Sequence, residues 1–374
     1  MSAPAAPAPV PPEPSGPPLA GELVPWFRAA ALQGNAAYAF ESTAGRAILM
    51  LFFARAAEQA SAAALRLVAG HRALFDDERA CFFGITVEPS DAADGRIAQA
   101  LPGIRFFLDY DRALSRLYGA IPAEDETRYA PHWLVIDPTL RLVDRFPIQA
   151  GEAALAALRA IAAEPRANDF APVLVAPRIL EPALCRRLIA LYETSGGEPS
   201  GFMRQMEGKT VLITDPSHKM RRDHTIEDAE LRAQLALRVR RRLAPMVKRV
   251  FQFEATRMER YLIGCYTAGA GHFRPHRDNT TAGTAHRRFA VTINLNAEDY
   301  DGGDLRFPEF GPRTYRAPTG GAVVFSCSLL HEATPVTNGT RYAFLPFLYD
   351  EAAAKQREAN NPFLDEGLGE YRAG

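Results

Sequence analysis

The stretch Tyr266-Thr-Ala-Gly-Ala-Gly-His-Phe-Arg-Pro-His-Arg-Asp278 decides how the C-terminal half of this chain is read. If His276 and Asp278 lie in extended backbone, the two-residue period of a strand turns both side chains to one face, where both can reach a single ion. One imidazole and one carboxylate leave most coordination positions empty. A third donor is available in His331, from Gly320-Gly-Ala-Val-Val-Phe-Ser-Cys-Ser-Leu-Leu-His-Glu-Ala-Thr-Pro335, which reads as an apolar strand running into a polar turn.

Two histidines and one carboxylate on one face of an octahedral ion leave adjacent positions open for a chelating co-substrate and O2, the facial arrangement of iron(II) oxygenases. Ten residues after His331 comes Arg341, at the start of the apolar strand Arg341-Tyr-Ala-Phe-Leu-Pro-Phe-Leu348. A guanidinium there needs an anionic partner, and its planar fork suits a carboxylate, with the C5 carboxylate of 2-oxoglutarate the natural candidate. Tyr266 is a second donor to the same group, and Arg288 is the next basic residue to consider as the anchor. His218, His224, His272 and His286 are read as structural or supporting residues, because the triad already fills the protein's share of coordination.

Outward from these residues, the chain from Met258 onward reads as short strands separated by Gly, Asn, Asp and Pro, the pattern of an antiparallel sandwich or barrel. Between the proposed ligands lie the strand Arg288-Phe-Ala-Val-Thr-Ile-Asn-Leu-Asn296 and the glycine turn of Tyr300-Asp-Gly-Gly-Asp-Leu-Arg-Phe307. Asn294 and Asp304 are expected to serve the sheet and its turn. Upstream, Leu184–Glu193 has helical spacing. A longer helix is expected at about Ile226–Phe251, where Leu231, Leu235, Val239, Leu243, Val247 and Val250 recur at intervals of three and four, with Pro245 a possible kink.

The order Tyr-x-x-Gly, His-x-Asp, Asn-Leu-Asn, Gly-Gly-Asp-Leu-x-Phe, distal His and a basic residue ten positions on resembles the prolyl 4-hydroxylase branch of 2-oxoglutarate oxygenases. The resemblance covers about Pro177 to Asp350. It implies a double-stranded β-helix (jelly-roll) core and bound iron(II). It also implies O2 and 2-oxoglutarate as co-substrates, with release of succinate and CO2 as a C–H bond is hydroxylated. His276, Asp278 and His331 map onto its metal triad and Arg341 onto its 2-oxoglutarate anchor. L-ascorbate enters as a candidate accessory. Collagen-type members usually carry Lys at the anchor, so the resemblance leaves peptidyl proline as one candidate among protein, peptide and small-molecule substrates. The rival readings are an oxygenase of nucleic-acid bases and a non-enzymatic binding protein built from degenerate domains. Relatives of the first kind typically carry a second arginine a few residues after the anchor, and Tyr342–Tyr349 has none.

The N-terminal half alternates differently. Arg46-Ala-Ile-Leu-Met-Leu-Phe-Phe53 and Cys81-Phe-Phe-Gly-Ile-Thr-Val87 have the composition of buried strands, separated by an Ala- and Leu-rich helical stretch. Helices near Asp91–Ala100 and Ala113–Tyr118 and strands near Ile104–Leu108 and Trp133–Ile136 complete an α/β pattern with a largely parallel sheet. This segment resembles the thioredoxin-like fold of peroxiredoxins, whose peroxidatic cysteine follows the first of these strands. Here Ala54–Ser61 has no cysteine, which removes the thiolate that peroxide reduction needs. Cys81 is read as a buried, inert thiol.

The expected organisation is therefore multidomain α+β. It comprises a disordered Pro/Ala-rich tail over 1–20, a non-catalytic thioredoxin-like domain over 21–165, a jelly-roll oxygenase domain with flanking helices over 175–350, and a C-terminal tail over 351–374. With 43 Lys and Arg against 44 Asp and Glu, no global field points to nucleic acid or an anionic membrane. The basic runs Lys219–Arg222 and Arg238–Arg242 invite a nucleic-acid reading, but the second lies on the polar side of its helix. Four dispersed cysteines fit a reducing, cytoplasmic compartment, and no apolar run reaches the roughly 20 residues of a membrane span. The oligomeric state is left open.

Overall fold

The structure is a computed structural model that describes residues 16–34, 36–165 and 168–373. Most of the expected N-terminal tail, residues 1–15, lies outside the described residues. The chain divides into one compact unit ending at Glu164 and a second beginning at Pro165.

The first unit is built on a five-stranded sheet. Its strands, in spatial order, are Ile104–Leu108, Ala80–Thr86, Ala47–Phe53, His132–Ile136 and Leu142–Pro147. Every residue of Ala47–Phe53 and Ala80–Thr86 is buried, because these central strands are covered on both faces, and that is why they read as unbroken apolar runs. Helices Gln59–Gly70 and Gly151–Ala163 cover one face through Ala64, Val68, Ala154, Leu155 and Leu158. An aromatic cluster of Phe27, Phe40, Phe83, Phe107 and Tyr118 covers the other.

Two expectations for this unit change. The sheet is half parallel, since His132–Ile136 runs antiparallel to Ala47–Phe53 and to Leu142–Pro147. The Asp137–Arg141 turn enforces the second pairing, with the Asp137 carboxylate accepting from the Thr139 and Arg141 amides. The helix expected over Asp91–Ala100 is only Pro89–Ala93, followed by Gly95 at φ +68°. The unit also begins earlier than residue 21, for Pro18 is buried and the Leu19 amide donates to Glu22.

Cys81 is the only thiol in this unit and is fully buried, and burial pushes it up to about 12. We expect the protein to reduce no peroxide in a thiol-coupled assay. Robust activity that disappears in Cys81→Ser would overturn that reading.

His132 gives the unit a pH dependence. Its Nδ1–H donates to Ala130 O at 2.9 Å, and its Nε2 accepts from Arg145 Nη1 at 2.9 Å. Burial first, and then Arg145, lower it from 6.5 to about 4, so the folded state holds it neutral. The unfolded chain therefore binds the extra proton first. Stability from this residue is complete above pH 6.5 and is lost as pH falls toward about 4. Both tryptophans, Trp26 and Trp133, lie in this unit, so urea midpoints followed by Trp fluorescence should fall over that window and fall less in His132→Gln.

Among the described residues of the second unit the strands pair antiparallel, with one isolated parallel bridge between Thr210 and Leu364. The larger sheet holds the strands Leu262–Thr267, Phe289–Asn294, Ala322–Ser326 and Val336–Phe344. A five-stranded sheet is ordered Lys219–Met220, His272–His276, His331–Ala333, Leu305–Arg306 and Thr314–Tyr315. Residues from both sheets line one cavity. The opposite face of the larger sheet packs, through Ile263, Cys265, Val291, Val324 and Phe344, on helix Pro182–Ser195 and on the helical run Ala229–Phe251.

That run is α-helical over Ala229–Arg238 and Ala244–Phe251, with a π turn at Val239–Leu243 and Pro245 in the first turn of the second helix. Proline has no amide hydrogen to donate to the preceding turn, so the ladder shifts register there instead of breaking. Leu231, Leu235, Val239, Leu243 and Val247 are buried as their spacing requires, whereas Val250 is 51% exposed.

Both ends of this unit extend past the expected limits. Leu174–Ala176 is a strand paired with Ala322–Val324, and Ala171 joins the core, so the unit's packed structure starts before the expected residue 175. The described part of the expected tail 351–374 is not a tail: it packs on the unit through helix Glu351–Ala359 and Tyr371. Asp350 caps helix Glu351–Ala359 by accepting from the Ala353 amide, Glu351 pairs with Arg257 at 2.8 Å, and Tyr371 lies under the Arg357 guanidinium. An alanine-rich helix with an aspartate cap is stable once Ala353 and Ala354 have a core to bury against.

Candidate metal and co-substrate site

His276 and His331 are direct cross-strand partners in the smaller sheet, with a bulge between Phe273 and His276. Asp278 lies just beyond the strand end, not in extended backbone as the two-residue period assumed. Its amide is held by Cys327 O at 3.0 Å. The outcome for the side chains is nevertheless convergence. His276 Nε2 lies 3.6 Å from Asp278 Oδ1, His331 Nε2 lies 3.3 Å from Asp278 Oδ2, and one donor atom from each residue falls within 4.8 Å of the others. Arg277, between them, turns the other way and pairs with Glu309 at 2.7 Å.

The tautomers suit a metal. Nδ1 of His276 donates to Arg274 O at 2.7 Å and Nδ1 of His331 to Leu329 O at 3.0 Å, which leaves both Nε2 lone pairs facing the carboxylate. Burial, then the neighbouring His331, pull His276 down to about 4, so it is a neutral donor. Burial alone would raise Asp278, but His331 and His276 outweigh it and the carboxyl is held well below its usual range. Phe273 stacks on the His276 ring at 3.4 Å and Phe325 lies 4.5 Å from the His331 ring, so each imidazole is wedged in one orientation.

Arg341 is 2% exposed, and neither its Nε nor its Nη1 has a hydrogen-bond partner among the described residues. It is the cross-strand partner of Tyr266, whose ring lies 4.9 Å from its guanidinium carbon, and both line the cavity with the triad. The alternation of Val336–Phe344 sends Tyr342 and Phe344 to the helices and Arg341 to the cavity. Gly303 of the glycine turn explains itself here. A Cβ there would sit 2.8 Å from Val336 and 3.1 Å from the Arg341 stem, at φ +66°.

The remaining sequence candidates sort themselves by contact. Arg288 donates to Ala285 O and to Gln356, and does not line the cavity. Asn294 holds Ala317 O, and Asp304 pairs with Arg316. His224 holds Gly196 O, His272 holds Ala270 O, and His286 lies 3.2 Å from Glu259. His218 packs edge-on against Phe273, beneath the His276 ring.

Sequence reasoning missed Arg221, Asp223 and Arg260. Arg221 lies where the chain passes from the smaller sheet to the larger, and its Nε and Nη2 fork onto Asp223 at 2.6 and 2.7 Å. Its Nη1 donates to Tyr266 Oη at 3.2 Å, which leaves the tyrosine proton for another acceptor. Gly264 makes room for this arginine, since a Cβ there would come within 3.1 Å of its side chain. Lys219 is also buried, bonded to Gly201 O, so the run Lys219–Arg222 is not a solvent-facing basic stripe. In the second run, Arg238 and Arg242 are engaged by Glu181. The available signal was the Arg-x-Asp spacing of residues 221–223, which puts opposite charges on one strand face.

Residues 261–349, which contain His276, Asp278, His331, Arg341 and Tyr266, match the family model of the 2OG-Fe(II) oxygenase superfamily. A PKHD-type hydroxylase of Synechococcus sp. (strain JA-2-3B'a(2-13)) is 38% identical over 88 residues, covering 22% of this chain and 39% of that protein. The PKHD-type hydroxylase PiuC of Pseudomonas aeruginosa is 37% identical over 90 residues, with 22% and 39% covered. The chain thus spans about two fifths of the length of the curated relatives it matches. Among solved structures, a Pseudomonas putida prolyl-4-hydroxylase aligns at TM-score 0.35 and 19% identity, covering 48% of this chain and 93% of that one. A thiol peroxidase from Chromobacterium violaceum aligns at 0.32 and 19%, covering 38% and 88%. No helix among the described residues is long and apolar enough to cross a membrane.

Proposed function

We propose that this chain is an iron(II)- and 2-oxoglutarate-dependent dioxygenase that hydroxylates a C–H bond of its substrate, with release of succinate and CO2. The observation that carries the reading is the buried Arg341 guanidinium, with two donor nitrogens unpaired, in the same cavity as a convergent His-Asp-His set. A buried guanidinium with two donors unpaired is costly, and a carboxylate held by its fork removes that cost.

In this reading His276, Asp278 and His331 hold iron(II), and bound iron with 2-oxoglutarate and O2 supplies the oxidising chemistry. The backbone carbonyls of Arg274 and Leu329 fix the tautomers of the two imidazoles, so that Nε2 of each is the donor. Arg341 grips the far carboxylate of 2-oxoglutarate, and Tyr266 adds the proton that its bond from Arg221 leaves free. Phe273 and Phe325 wall the triad with apolar surface and exclude water from it.

We read the two facing antiparallel sheets as a double-stranded β-helix, and the first unit as a thioredoxin-like domain that has lost its thiol chemistry and serves binding or scaffolding. The hydroxylase names of the curated relatives favour hydroxylation as the outcome, with a peptide as one substrate class and L-ascorbate as a candidate accessory. The deciding measurement is succinate release from 2-oxoglutarate with and without iron(II). Release that requires both supports the assignment, and iron-independent release or none at all refutes it.

A further inference from the structure

The cavity holds more positive charge than the proposed iron and co-substrate use. Iron(II), the Asp278 carboxylate and a 2-oxoglutarate dianion leave one negative charge, which Arg341 cancels. Two other arginines, Arg221 and Arg260, also line the cavity. They share a single acid, Asp223, whose short contacts go to Arg221 and Ser200. Its Oδ1 takes Arg221 Nε at 2.6 Å, and its Oδ2 takes Arg221 Nη2 at 2.7 Å and the Ser200 hydroxyl at 2.5 Å.

Arg260 is left with the remainder. Its one hydrogen bond among the described residues runs from Nη2 to Asp223 Oδ2 at 3.3 Å. The side chain keeps 29% of its surface exposed, and its guanidinium carbon stands 5.7 Å from the Phe347 ring, another cavity wall. Burial, then Arg221 and Arg287, pull Arg260 down to about 10, which leaves it a cation at neutral pH. No neighbouring acid is free to take it, because Glu259 already receives Arg287 at 2.7 Å and Arg357 at 2.8 Å. The backbone reinforces the point. Arg260 sits at φ +64°, in the left-handed region that a residue with a Cβ adopts at a cost, between strand Arg257–Glu259 and strand Leu262–Thr267.

We propose that Arg260 is a recognition group for a carboxylate on the primary substrate, bound in the same cavity as the metal and opposite in role to Arg341. The substrate is thus an acid, presented either by an acidic residue of a peptide or by a free small carboxylate. The inference rests on the reading of the triad and Arg341 above.

The test uses the full chain loaded with Mn(II) and 2-oxoglutarate under argon, where no turnover occurs. Mn(II) broadens the proton signals of any probe held near it. The probes are acetyl-Glu-Pro-Glu-amide, its Gln-Pro-Gln counterpart and free glutarate, each titrated with 2-oxoglutarate saturating. The expected result is broadening by at least one acidic probe and none by the neutral peptide. In Arg260→Met the affinity of the acidic probe should drop by roughly ten- to a hundredfold, the usual loss for a charge-assisted pair, with partial retention in Arg260→Lys. Broadening by the peptide alone or by glutarate alone identifies the source of the carboxylate. Equal broadening by neutral and acidic peptides, no broadening by any probe, or an unchanged response in Arg260→Met overturns the proposal. Failure of the underlying reading shows separately, as wild-type protein that does not bind Mn(II) and 2-oxoglutarate together.

Discussion

Replacing His331 with alanine is expected to reduce iron-dependent succinate formation to background, and His276→Ala and Asp278→Ala to do the same. A facial set offers three protein donors, and two cannot hold a labile iron(II) ion in competition with water. The donors here are preorganised, since each imidazole is fixed by a carbonyl on Nδ1 and by a ring against its face. Removing one therefore leaves a gap that no mobile neighbour can fill. Because His331 is 5% exposed and packs on Phe325, His331→Ala could also weaken the fold. Asp278→Asn separates the two causes. It keeps the shape, loses the charge, and should abolish iron binding measured by equilibrium dialysis while the iron-free protein still unfolds cooperatively, at a melting temperature somewhat below wild type because the folded state favours the ionised carboxyl. Near-normal turnover in His331→Ala would show that the distal ligand is misassigned.

The second large effect is expected at Arg341. Arg341→Lys keeps the charge and loses the planar fork, and Arg341→Met removes the charge on a stem of similar reach. Losing a buried charge-assisted pair costs on the order of 2–5 kcal/mol, so Met should raise the apparent KM for 2-oxoglutarate roughly thirty- to several-thousand-fold, and Lys much less. Iron affinity should stay near wild type in both. The unpaired nitrogens of Arg341 add a sign that a structural ion pair would not share. With Nε and Nη1 unpaired, Arg341→Met removes two unsatisfied donors, so the protein without 2-oxoglutarate should melt no lower than wild type and should lose the stabilisation that 2-oxoglutarate gives. A marked fall in melting temperature with unchanged 2-oxoglutarate dependence would make Arg341 a structural bridge.

The candidates His276, Asp278, His331, Arg341 and Tyr266 could be named from the sequence because they sit in short motifs in a fixed order, with strand period offered as the reason only for His276 and Asp278. Even so, the reason offered for His276 and Asp278 was only partly right. They converge through a bulge and a turn after the strand, not through two residues of regular extension. Arg221 and Arg260 were out of reach for a different reason. Their partners, Tyr266 and Asp223, come together through the pairing of Arg222–Thr225 with Leu262–Thr267, some forty residues apart in the chain. A basic run such as Lys219–Arg222 looks solvated until the sheet edge that buries it is known.

What the sequence determined by itself is local and periodic. The apolar runs at Ala47–Phe53 and Ala80–Thr86 required doubly covered strands, the three- and four-residue spacing from Leu231 to Val247 required a buried helix face, and the missing cysteine at Ala54–Ser61 removed a chemistry whatever the fold. Tertiary structure alone decided direction, boundary and charge balance. It turned His132–Ile136 antiparallel, drew Leu174–Ala176 and the helix Glu351–Ala359 into the second unit, and left Arg341 and Arg260 short of partners inside one cavity. The physical reason is that periodicity fixes which face of an element is apolar, whereas pairing partners and the desolvation of a charge depend on which distant segments arrive beside it.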